Sequence, residues 1–152
     1  MDTNITKTWT IEISESEVFS RCVNESLYQT SNRGFENGSK DMAAISDDDK
    51  AQFHMYFTSA IASLNTILAR RMDEPFRYGS DCTDVVFTLQ MHDNHDDNIL
   101  PTLIIHCYDY VVKKVLELWF HTNFGSELER FDINHCIHYR KNPVRRRVSP
   151  LI

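Results

Sequence analysis

The sequence predicts a mainly α fold: a helical bundle of about four helices, a small two-stranded β element and an extended C-terminal tail. Three observations predict it. Apolar residues recur at three- and four-residue spacing over 53–72 and again over 99–120. Only two short segments, around Trp9 and around Phe87, alternate with period two. The last stretch, 140–152, holds two prolines and five basic residues but no acidic one.

Each element follows in order. Trp9, Ile11 and Ile13 alternate with Thr8, Thr10 and Glu12, the pattern of a strand with one buried face. Ser14 and Glu17 stand at capping-box spacing, where two side chains satisfy N–H groups at a helix start. Val18, Phe19, Cys22, Val23 and Leu27 follow at helical intervals, which places a first helix over 15–29. Residues 30–45 concentrate turn formers (Ser31, Asn32, Gly34, Asn37, Gly38, Ser39) and predict a long loop. Ser46 then precedes Asp47, Asp48 and Asp49, acids set where a helix dipole is positive. In the helix that follows, Phe53, Phe57, Ala60, Ile61, Leu64, Ile67, Leu68 and Met72 make one apolar stripe, and Pro75 ends it.

Val85, Phe87, Leu89 and Met91 define a second strand able to pair with the first. A turn-rich stretch, 92–98, leads into a third helix that begins near Ile99 and admits Pro101 in its first turn. This helix is apolar on most sides, yet Asp109, Lys113, Lys114 and Glu117 near its middle would be costly in lipid. It is therefore expected at the centre of a core, with no membrane partner. After Asn123 and Gly125, Ser126 can cap a fourth helix whose apolar residues are Leu128, Phe131 and Ile137.

A chain of 152 residues, 41 % hydrophobic and 25 % charged, supports one core, so 1–139 is expected as a single domain and 140–152 as a basic arm. Met1-Asp2-Thr3-Asn4 lacks the basic start and apolar stretch of a secretion signal, which points to the cytoplasm as the place of synthesis. Cys22, Cys82, Cys107 and Cys136 form no Cys-x-x-Cys pair and are expected as free, mostly buried thiols. The glycines at 34, 38, 79 and 125 form no phosphate-cradling loop, which argues against a nucleotide enzyme. The net charge of −6 divides unevenly: 1–139 holds 11 basic against 22 acidic residues.

Several residues could carry chemistry. His92, Asp93, His95, Asp96 and Asp97 are metal-ligand types, but Asp and Asn are also what a turn before a helix should contain. His135, Cys136 and His138 lie close in sequence, with the bland alternative of polar histidines near a helix C-terminus. Cys107 could pair with a histidine as a nucleophile, yet it lies in the most apolar helix, where a thiol is inert. No cofactor, metal site or catalytic set is expected from these patterns.

The tail is more informative. Arg140, Lys141, Arg145, Arg146 and Arg147 can pair with phosphates or carboxylates, while Val148, Leu151 and Ile152 supply apolar anchors beside Tyr139 and Val144. The expected contact residues are Tyr139, Arg140, Lys141, Arg145, Arg146, Arg147, Val148, Leu151 and Ile152. With this helix order and the ending Tyr139-Arg140-Lys141-Asn142-Pro143, followed by Arg145 and Arg146, the chain resembles head–tail connector and neck proteins of tailed phages, including crAss-like phages of gut bacteria. That resemblance implies a virion protein made in the host cytoplasm: a homo-oligomeric, dodecameric ring joining the portal to other neck or tail proteins, with genomic DNA passing through its lumen. The alternative is a nucleic-acid-binding accessory or regulatory protein that uses the same basic arm on phosphates.

Overall fold

The N-terminal alternation becomes strand β1 (Thr6–Ser14), which buries Trp9, Ile11 and Ile13 and exposes Thr6, Thr8, Thr10 and Glu12. The computed structural model describes residues 6–32, 44–79 and 83–138. A two-residue strand, β2 (Arg77–Tyr78), and a long one, β3 (Asp84–His92), complete an antiparallel sheet of order β1-β3-β2. Trp9 lies opposite Leu89 and Ile11 opposite Phe87, so the apolar sets of both long strands share one face. A slip of one residue would turn that whole set to water, which is why the alternation fixes the register. The expected pairing of two strands is found; β2 is an addition, too short to show any alternation.

Four α-helices accompany the sheet among the described residues: α1 (Glu15–Asn32), α2 (Lys50–Leu68), α3 (Leu100–Phe120) and α4 (Ser126–His138). The Ser14 hydroxyl accepts the Glu17 N–H at 3.3 Å, as half of the expected capping box. The other half is replaced, because the Ser14 N–H donates to the Tyr108 hydroxyl on α3 at 2.8 Å. Of the expected loop over 30–45, residues 30–32 continue α1 and 33–43 lie outside the described residues. Its end is anchored: Ile45 is buried and donates its N–H to the buried Ser26 hydroxyl at 2.9 Å.

Asp47, Asp48 and Asp49 form a 3-10 turn before α2, and the Asp49 carboxylate accepts the Ser46 N–H at 2.9 Å. The apolar stripe of α2 is buried through Leu68, while Met72, three residues short of Pro75, is already extended. Helix α3 packs on α1, α2, α4 and β1 and supplies Leu103, Cys107, Val111, Val115 and Leu116 to the shared core. Each fully buried Leu, Val or Phe of this kind contributes about 1.5–3 kcal/mol. Among the described residues, no helix is long and apolar enough to cross a membrane.

Candidate functional site

Helix α3 ends at His121, whose φ of 55° is left-handed, and the chain turns back through Gly125 at φ 92°. This turn makes α3 and α4 an antiparallel hairpin. Glu117, in the last turn of α3, accepts the N–H groups of Phe124 and Ser126 at 3.0 Å each and the Ser126 hydroxyl at 2.7 Å. Ser126 thus donates to an acid, while the Gly125 carbonyl takes the Leu128 N–H, so the expected serine cap is replaced by a carboxylate lying across the turn. Burial raises the Glu117 carboxyl, but these hydrogen bonds outweigh it and hold the group below the ordinary glutamate value.

The buried face of α4 consists of Ser126, Glu129, Ile133, Cys136 and Ile137, with Leu128 and Phe131 each 70 % exposed. An acid therefore points inward where two large apolar side chains point out. Glu129 is met by two bases two turns apart on α3: Lys113 Nζ lies 2.8 Å from Oε2 and His106 Nδ1 lies 2.9 Å from Oε1. Asp132, one turn further along α4, stands 3.9 Å from the same imidazole nitrogen. Burial pushes the Glu129 carboxyl up, but the bonds and charges of Lys113 and His106 prevail and hold it below the usual range.

His106, Glu129 and Asp132 offer ligand atoms within 4.8 Å of one another, a donor set that suits a divalent ion. The local charges favour another role. Both Glu129 oxygens are engaged, and the Lys113 ammonium would oppose a dication at the same carboxylate. The Lys113 ammonium and the His106 ring between them take both Glu129 oxygens. The group reads as a polar clasp that fixes α4 on α3.

No family model, curated protein or solved structure matches this chain.

The residues singled out for metal chemistry do not converge. His95 is buried: its Nε2 lies 3.0 Å from the Ile137 carbonyl, and its ring meets Trp9 edge-on. Asp96 accepts the Asn98 N–H at 2.9 Å, as a turn residue does. Asp97 accepts Trp9 Nε1–H and pairs with Lys7, both at 2.9 Å, and these bonds lower its pKa. The segment 92–98 ties β1 and β3 to the start of α3. Cys136 is buried while His135 and His138 are exposed, so that trio faces two ways. Cys107 is buried, and burial raises its thiol far above the range of a nucleophile. Tyr139, Arg140, Lys141, Arg145, Arg146, Arg147, Val148, Leu151 and Ile152 lie outside the described residues.

Proposed function

We propose that this chain is a structural assembly subunit of a phage particle, a head–tail connector that forms a ring between portal and tail. The observation that carries the reading is the outward face of α4. Leu128 and Phe131, one turn apart and each 70 % exposed, form an apolar spot bordered by the exposed charges of Glu127 and Arg130. An apolar centre with a charged border is the make-up of a contact surface. The clasp at Glu129 holds that surface in one orientation, and α4 leads directly into the basic segment beginning at 140. An excess of acidic groups, 22 against 11 basic in 1–139, suits a lumen that repels DNA phosphates and lets the genome slide.

In this reading the arm residues hold a neighbouring copy or an adjacent ring. The native mass of the full chain tests it, together with its position in an imaged particle. Changing both Leu128→Ser and Phe131→Ser should abolish ring-sized assemblies while leaving a cooperatively folded monomer, since neither side chain is in the core. A parent chain that stays monomeric at every concentration and is missing from particles refutes the proposal. The five basic residues of 140–152 favour one second reading, nucleic-acid binding. Its mark would be a monomer whose DNA affinity falls steeply with salt.

A further inference from the structure

A groove of about 510 Å³ runs between α1 and α3, on a different face of α3 from the one that meets α4. Ile104, Ile105 and Tyr108 give it an apolar side, with Ile105 59 % exposed. Its rim is polar, made by Ser16, Glu17 and Ser20. Among the described residues the one cation lining it, Arg21, is committed to Asp109 at 2.6 Å. Burial pushes the Tyr108 hydroxyl up against the lowering effect of its Ser14 hydrogen bond, and the nearby carboxylates of Glu17, Asp84 and Glu12 add to the rise. The result is an apolar trough under a negative field.

From these features we infer that the α1–α3 groove receives the C-terminal arm, 139–152, of a second copy of this chain. The inference rests on the assembly reading above and names the partner of that arm. The match is chemical. The arm holds five cations and no acid, and Val144 and Val148 flank its three consecutive arginines. Bound in an extended form, Val144, Arg146 and Val148 face one side. The valines then cover Ile105 and Tyr108, and Arg146 meets Glu17 and the serine hydroxyls of the rim. Arginine suits such a rim because its guanidinium can bond a carboxylate and a hydroxyl at once.

The test is native mass of the full chain with charge-reversed variants. A groove variant carries Glu12→Lys and Glu17→Lys; an arm variant carries Arg145→Glu, Arg146→Glu and Arg147→Glu. Either alone should weaken association by about tenfold or more. One chain carrying both sets should regain it, because attraction returns with the signs exchanged. Mixing the two single variants should restore pairing, since an intact arm then meets an intact groove on another copy. Melting temperatures equal to the parent's show that the variants are folded.

Groove variants that assemble like the parent, while arm variants do not, overturn this inference and leave the assembly reading standing. A doubly reversed chain that stays weak, or mixtures that fail to pair, overturn it likewise, the latter by placing the arm on its own groove. Arm variants that assemble normally exclude the arm as the contact. A parent that is monomeric throughout removes this inference and the assembly reading together.

Discussion

Replacing Glu129 by glutamine should cost about 2 kcal/mol at pH 7. The carboxylate accepts two charge-assisted bonds, at 2.8 Å from Lys113 and 2.9 Å from His106. Bonds to charged groups contribute about 1.5–3 kcal/mol each, and the amide keeps one acceptor oxygen while turning a donor toward the other base. Lys113 is 35 % exposed and recovers water when its partner is lost, which keeps the total at the low end. In a chain of this size that loss corresponds to a melting temperature lower by about 4–8 °C.

The acid dependence gives a second check. The Glu129 carboxyl is held below its ordinary value, burial being outweighed by Lys113 and His106, so the unfolded chain binds its proton more readily. The stabilisation is complete above the unfolded value of about 4.3 and disappears as pH falls through the lower folded value. Thermal melts of parent and variant from neutral pH downward should keep a constant gap to about pH 5 and converge below it. Equal stability at pH 7, or a gap that stays open once the carboxylate is protonated in strong acid, would refute the clasp. So would zinc that raises the melting point of the parent and not of the glutamine variant, because it would show an ion where the clasp has none.

The core and the thiols give two further expectations. Phe57 is fully buried with its ring 5.9 Å from that of Phe53, so Phe57→Ala should lose about 3–5 kcal/mol in urea unfolding; a loss below 1 kcal/mol would place that ring outside the core. Burial pushes the Cys22 thiol up to about 12, despite the opposing charge of Arg21, and raises Cys107 further, so site-resolved alkylation at pH 8 should leave both intact until urea is added. Rapid labelling of either in the native chain would contradict that burial.

Most of the fold was legible because its signals are local. The Phe53-to-Leu68 stripe and the two alternating strands each read correctly, since a period of 3.6 or 2 can be satisfied only by turning one face inward. The 92–98 segment was harder. Its histidines and aspartates have the composition of a metal site, but Trp9 and Lys7, about ninety positions earlier, claim Asp97, and the Ile137 carbonyl claims His95. Composition shows which ligands a segment offers; it does not show which partners the fold has already assigned to them.

Helix α4 shows why the candidate site escaped the sequence. Of its apolar residues Leu128, Phe131 and Ile137, only Ile137 is buried, and the face that turns inward with it passes through Ser126, Glu129 and Ile133. In a helix of 13 residues with few apolar groups, two faces compete nearly equally by periodicity, and the choice falls to partners elsewhere. Glu129 can share the inward face with Ile133 and Ile137 because Lys113 and His106 stand seven residues apart on α3, the spacing that brings two side chains to one face two turns apart. Without them a buried carboxylate would be strongly unfavourable and α4 would gain by rolling Leu128 and Phe131 inward. Removing both bases, by Lys113→Met with His106→Leu, should therefore do more than destabilise. It should draw Phe131 out of solvent, readable as slower exchange at the neighbouring amides, and should remove the apolar spot on which assembly is proposed to depend.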